Sequence, residues 1–95
     1  MKIRVADGVS FPVYIRAKDS GAVMRFDDLS RLSYLEAIDV RNDEYEGWDA
    51  RGRLLTLTAT EDGFLRSGDI AIAATDTKIE EADLRKLTET AKPVQ

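Results

Sequence analysis

Carboxylates are the side chains with which this sequence could most readily do chemistry. Six of them fall between residues 36 and 50, where Arg41 is the single basic residue. This segment carries a net charge of −5, while the rest of the chain carries +1. Histidine and cysteine are absent from all 95 residues. Their absence excludes thiolate nucleophiles, disulfides, zinc sites built from Cys and His, and the usual general base.

The acidic segment lacks the spacing of a calcium-binding loop. Counted from Asp39, the third ligand position holds Arg41, and the position that needs glycine holds Glu44. Adjacent acids elsewhere, such as Asp27 and Asp28, are explained as helix caps. No nucleotide-binding or nucleophile motif is present. We therefore expect no catalytic residues, no metal and no cofactor, and the sequence predicts a protein that is not an enzyme.

Trp48, the only tryptophan, is the most informative residue for binding. If Asp49 pairs with Arg53 around a loop over residues 50–52, Trp48 lies beside Leu54 on one face of the hairpin. Two acids continue along that face and make it a candidate recognition surface, because an apolar pair flanked by charge suits a contact anchor. The candidate binding residues are Trp48, Leu54, Glu44 and Glu46.

A competing interpretation places Trp48 under one of the helices, because tryptophan is usually well buried in small domains. The two interpretations differ in one observable property. A recognition face requires Trp48 to be partly accessible in the isolated monomer, whereas a covered position does not.

Three loops that end in glycine separate the segments that must position these residues. They cover residues 6–8, 50–52 and 61–63 and end in Gly8, Gly52 and Gly63. Each predicts a three-residue hairpin loop with its glycine at positive φ. The first loop sets Val5 against Val9 and gathers Ile3 and Phe11 on one apolar face.

The remaining elements follow from spacing and capping residues. A loop over residues 19–22 would set Met24 against Ala17 and Phe26 against Ile15. Beyond it the pattern predicts a short helix capped at Asp27 or Asp28, a return to strand at 38–40, and a C-terminal helix. The short helix carries Leu29, Leu32 and Leu35. The C-terminal helix is opened by a capping box over 77–80, carries Leu84, Leu87 and Ala91, and is stopped by Pro93.

The strand over residues 70–74 has two alternative orientations. Pairing Thr60 with Phe64 sends its isoleucines to the Trp48 face, whereas an extra residue at Ser67–Gly68 shifts them to the opposite, core face. Both alternatives remain open at the level of the sequence.

Together these elements predict one α+β domain over residues 1–95. It contains an antiparallel twisted sheet of five to six strands, open or curled as a half-barrel, with a short internal helix and a C-terminal helix. No signal peptide or membrane-spanning stretch is recognised, so we expect a cytoplasmic protein. The net charge of −4 and scattered basic residues argue against nucleic-acid binding.

For function, we expect a non-catalytic protein-binding module. The acidic hairpin over residues 43–58 would attract a basic partner, as an inhibitor or immunity-type protein does. Three alternatives stay open: a homodimeric structural or accessory protein, a small enzyme or small-molecule-binding protein without a recognisable motif, and acids that serve only solubility.

Overall fold

A computed structural model describes residues 2–60 and 68–95 of the chain. Its strands are β1 (Ile3–Val5), β2 (Val13–Ala17), β3 (Val23–Phe26), β4 (Tyr45–Trp48), β5 (Arg53–Ala59), β6 (Ile70–Lys78) and β7 (Lys92–Pro93). A 3₁₀ helix covers Leu29–Tyr34, and two α-helices, α1 (Ala37–Arg41) and α2 (Glu81–Thr90), follow. Among the described residues, no helix combines the length and apolar composition that crossing a membrane requires.

The strands form one curled sheet in the order β1-β6-β5-β4-β2-β3-β7. Two pairs, β1 with β6 and β3 with β7, are parallel, and the other neighbours are antiparallel. The predicted α+β class is confirmed. The predicted antiparallel sheet of five to six strands is corrected to a mixed sheet of seven.

Alternation of apolar and polar residues divides the sheet into an inner and an outer face. The inner face holds the core, which the 3₁₀ helix and α1 cover. Its fully buried side chains include Val13, Ile15, Phe26, Ile70 and Ile72 from the strands, with Leu32 and Leu35 from the helical segment above them. Leu32 and Leu35, three residues apart, face the core from one side of the 3₁₀ helix and its C-cap, whereas Leu29, which the sequence placed with them, is 49% exposed.

The predicted hairpin between β1 and the following strand is wrong. β1 instead lies parallel to β6, where Ile3 pairs with Ile70 and Val5 with Ile72. The backbone N–H of Ala6 continues this pairing by donating to the Ile72 carbonyl at 2.9 Å. Both arrangements put the β1 side chains against apolar partners on the same face, so the alternation alone could not distinguish them.

The β2–β3 hairpin has the predicted faces in a different register. Ile15 pairs with Met24 and Val13 with Phe26, two residues away from the predicted pairs. Gly21 adopts a φ of +75° and donates its N–H to the Ala17 carbonyl at 2.8 Å, so the loop ends at this glycine. Because side chains alternate with a period of two, a shift of two residues leaves the apolar face unchanged.

The β4–β5 hairpin is confirmed beside its turn. Trp48 pairs with Leu54, and Asp49 donates its backbone N–H to the Arg53 carbonyl at 3.0 Å. The positive φ expected at Gly52 and Gly8 is confirmed, at +80° and +93°, although Gly8 does not close a hairpin. Gly63, for which a positive φ was also expected, lies outside the described residues. The same is true of Ser67 in the proposed bulge.

The isoleucines of β6 point to the core face rather than to the Trp48 face. Its Ile70 and Ile72 pair with Ala59 and Leu57 of β5, so they lie on the inner face. The Thr60 backbone N–H donates to the Asp69 carbonyl at 2.9 Å, whereas Phe64, its predicted partner, lies outside the described residues.

Two helix boundaries also differ from expectation. The segment predicted to return to strand at 38–40 is helix α1, because Ala37 and Val40, three residues apart, both face the core. The capping box predicted at 77–80 is absent: Thr77 belongs to β6, and the N-cap of α2 is Glu80, whose side chain makes no capping bond.

Candidate functional site

Trp48 lies on the outer face at the end of β4, where it pairs with Tyr14 of β2 and Leu54 of β5. The guanidinium of Arg16 lies over the indole, 4.9 Å from the ring centroid. Such a position allows a cation–π attraction. Arg16 also forms an ion pair with Glu46, its cross-strand partner. The strand pairing therefore builds a three-residue unit from Arg16, Glu46 and Trp48.

Helix α2 covers the Trp48 end of this unit, while the Arg16 and Glu46 side chains stay 40% and 34% exposed. A Cβ atom built on Gly52 would lie 2.9 Å from the Ile79 side chain and 3.2 Å from that of Leu84, so the start of α2 rests directly on the β4–β5 turn. One turn further along, Leu87 is 5% exposed and Trp48 is 6% exposed. The covered position of Trp48 is thus the one observed, and partial accessibility in the monomer is not.

The four predicted binding residues do not form one surface. Trp48 is buried, and Leu54 beside it is half-buried. Glu46 is half-buried and neutralised by Arg16, whereas Glu44 is exposed and precedes β4 at the other end of the strand. The structure brings Trp48 and Leu54 together but separates Glu44 from them. A binding role for these residues stays a prediction.

Glu44 belongs instead to a group of acids that the sequence did not bring together. We define the acidic cluster as Asp19, Glu36, Asp39 and Glu44. Hydrogen bonding to the Asp39 carboxyl group, with desolvation and the charges of Asp39 and Asp19, raises the pKa of Glu44 above its ordinary value. The backbone keeps three of these acids adjacent, because the Asp39 N–H donates to the Glu36 carbonyl and the Glu44 N–H donates to the Asp39 carbonyl, both at 3.1 Å. Like charges held close together raise a carboxyl pKa in this way.

Tyr45 stands next to the acidic cluster and holds one of its members. Its hydroxyl donates to the Asp39 carboxylate at 3.2 Å. Burial, followed by the negative charge and the hydrogen bond of Asp39, raises the pKa of Tyr45 to about 12. The neutral phenol therefore persists as a donor throughout the physiological range and fixes Asp39 over the start of β4.

The other acids of segment 36–50 are neutralised by basic residues from nearby strands and loops. Asp43 pairs with Lys18 at 3.0 Å, Glu46 with Arg16, and Asp49 with Arg53 at 2.7 Å. Among the described residues, no ion pair involves a member of the acidic cluster. Three acids of segment 36–50 are therefore in ion pairs, and the other three, Glu36, Asp39 and Glu44, have no ion-pair partner among the described residues.

Asp49 has a structural role at the β4–β5 turn. It is fully buried, and its carboxylate accepts from the backbone N–H groups of Arg51 and Arg53 at 3.0 Å each and of Ser10 at 3.3 Å. The Arg53 side chain adds two more bonds. Burial pushes the pKa of Asp49 upward, but these bonds outweigh it and hold the pKa below its ordinary value.

A groove of about 470 Å³ separates α2 from the β2–β3 hairpin. Arg16 and Val23, which are cross-strand partners, form one wall, and Trp48 lies between this wall and the helix. The α2 wall contributes Asp83, Lys86, Leu87 and Thr90. In the described part of the chain, no set of three or more carboxylates could hold a metal ion.

No protein-family model matches this chain, and comparisons with curated proteins and with solved structures find no significant match. A function therefore has to rest on the residues themselves and on their geometry.

Sequence reasoning grouped Glu36, Asp39 and Glu44 within segment 36–50 but missed Asp19, because it lies in the loop between β2 and β3. The distance in sequence between Asp39 and Tyr45 also hid their contact. A signal for the other three acids of the cluster existed, because segment 36–50 holds six acids against Arg41 alone.

Proposed function

We propose that this protein is a non-catalytic binding module that recognises a basic protein partner through the acidic cluster. One observation carries the proposal: Glu44 lies against Asp39, to whose carbonyl its backbone N–H donates at 3.1 Å, and neither carboxylate has an ion-pair partner among the described residues. Asp43, Glu46 and Asp49 of the same segment each pair with a cation. Uncompensated charge of one sign on one surface attracts a partner of the opposite sign.

Trp48 is left out of the proposed contact surface because only 6% of it is exposed. An interface anchor must be reachable in the free protein, unless binding displaces the element that covers it. The recognition surface is accordingly placed at the opposite end of β4, where Glu44, Asp39 and Tyr45 meet.

Affinity capture with three baits tests this proposal. The baits are the wild type, a cluster variant (Asp19→Asn, Glu36→Gln and Glu44→Gln) and a control variant with the same change of charge outside the cluster (Asp76→Asn, Glu81→Gln and Glu89→Gln). All six side chains are exposed. We expect a basic protein that the wild type and the control variant both retain and the cluster variant releases.

Recognition through the cluster would be contradicted if all three baits retained the same basic protein, or if both variants released it. Capture of nothing but the chain itself would favour the homodimeric alternative. Light scattering across a range of protein concentrations then distinguishes the two, because a module for a foreign partner stays at 10.6 kDa.

A further inference from the structure

The groove beside α2 has the dimensions of a ligand site. Its volume of about 470 Å³ falls within the range of about 300–1,000 Å³ that small-molecule sites occupy. The groove lies on the outer face and extends from Trp48 to Gly21, in the loop that also carries Asp19 of the acidic cluster. The proposed function makes no use of it.

The two walls of the groove have different origins and combine apolar with charged groups. Asp83, Leu87 and Thr90 fall at intervals of four and three residues, so they share one side of α2. Opposite them stands Val23 of β3, and Trp48 closes the floor. The half-buried Val23 provides most of the accessible apolar surface, and the small exposed edges of Leu87 and the indole, 5% and 6% of each residue, border it. A small hydrocarbon group could pack against this bed.

Two cationic side chains border this bed from opposite walls, Arg16 on the strand side and Lys86 on α2. Two acids stand near them: Glu46, the ion-pair partner of Arg16, and Asp83 on α2. Among the described residues Lys86 has no ion-pair partner, and Arg16 bonds to Glu46 through one of its guanidinium nitrogens. The remaining N–H groups of Arg16 have no acceptor there. A carboxylate or sulfonate is the group that such donors bind best.

From this arrangement we infer that the groove binds a small amphipathic anion. Its acidic head would lie between Arg16 and Lys86, and its apolar body would rest on Val23, Leu87 and Trp48. The site uses no side chain of the acidic cluster, so neutralising the cluster carboxylates should leave binding in the groove unchanged.

Trp48 makes the site directly observable, because it is the only tryptophan of the chain. The probe is 1-anilinonaphthalene-8-sulfonate, an aromatic anion, titrated into the folded wild-type protein while energy transfer from Trp48 is recorded. We expect saturable binding of one molecule per chain. N-phenyl-1-naphthylamine, which has the same rings without the sulfonate, should bind at least about tenfold more weakly.

Three variants locate the bound probe. Lys86→Glu should weaken binding by about tenfold or more, whereas Lys2→Glu, an exposed lysine on the β1 side of the sheet, should leave it unchanged. Thr90→Phe should block the groove from its exposed wall. Thermal melting of each variant, followed by circular dichroism, verifies that the fold is intact.

Four results would overturn the inference: a Kd for the wild type weaker than about 1 mM, equal loss of binding in Lys2→Glu and Lys86→Glu, undiminished binding to a folded Thr90→Phe variant, or equally tight binding of the uncharged analogue. The last of these would show an apolar surface without selectivity for anions.

Discussion

Replacement of Asp49 by asparagine should destabilise the fold more than removal of any exposed acid. The asparagine keeps one oxygen for the Arg51 and Arg53 backbone donors. Its NH₂ group replaces the oxygen that accepts from the Ser10 N–H and from two nitrogens of Arg53. Three attractive contacts at 2.7–3.3 Å thereby become contacts between donors.

The size of the loss follows from the burial of the two partners. Breaking a buried ion pair typically costs about 3–5 kcal/mol. Asp49 is fully buried, but the Arg53 side chain is 22% exposed, so water can solvate part of the stranded guanidinium. We therefore expect Asp49→Asn to lower the free energy of unfolding, measured in urea at pH 7, by about 3 kcal/mol, the lower end of this range. Asp76→Asn, at an exposed position, should change stability by no more than about 0.5 kcal/mol.

The pH dependence gives this prediction a second, independent measurement. Because the folded-state pKa of Asp49 is lowered, its contribution to stability is present above the ordinary carboxyl pKa of about 4 and is lost as pH falls through the folded value. The difference in free energy of unfolding between the wild type and Asp49→Asn should therefore become smaller below about pH 4. A difference below about 1 kcal/mol at pH 7, or one that stays constant down to pH 3, would refute the role assigned to this carboxylate.

Three further changes test other parts of the structure. Gly8→Ala should lower the free energy of unfolding by about 1 kcal/mol because of its positive φ alone. Gly52→Ala should lower it further, because the new methyl group would lie 2.9 Å from Ile79 and 3.2 Å from Leu84 of α2. Equal losses in chemical denaturation would contradict this contact with α2. Trp48 fluorescence should resist quenching by iodide, and Trp48→Ala should cost about 3–5 kcal/mol of stability; efficient quenching in the native monomer would contradict its burial. One of the three tyrosines should titrate near pH 12 by ultraviolet absorbance, with stability falling as pH rises from about 10 to that value; Tyr45→Phe should abolish this late step, and its persistence would contradict the Asp39 contact.

The faces of the sheet could be predicted from the sequence, but the order of its strands could not. Alternation placed Ile15, Met24 and Phe26 on one face, and they remain there despite a register shift of two residues. The same alternation is satisfied whether β1 pairs with β2 or with β6, because both neighbours offer apolar side chains to Ile3. Strand order depends on long-range packing, which a local pattern does not encode.

The candidate site was predictable where a short loop determined it. The loop over residues 50–52 correctly set Trp48 beside Leu54, because loop length specifies register in a tight hairpin. The acidic cluster was not predictable in this way. Its members come together through α1, a helix of five residues that the pattern of residues 38–40 presented as strand, since so short an apolar run fits both periodicities.

The kinetics of association test recognition through the acidic cluster most directly. Once capture has identified a partner, stopped-flow measurements at increasing salt compare the wild type, the cluster variant and the control variant. Exposed charges act over a Debye length of about 8 Å at physiological salt, so they alter chiefly the rate of association. We expect the cluster variant to associate about tenfold more slowly at low salt, to lose most of its dependence on salt, and to dissociate at nearly the wild-type rate. Equal slowing of the control variant, or association of the cluster variant at the wild-type rate, would contradict the proposed recognition surface.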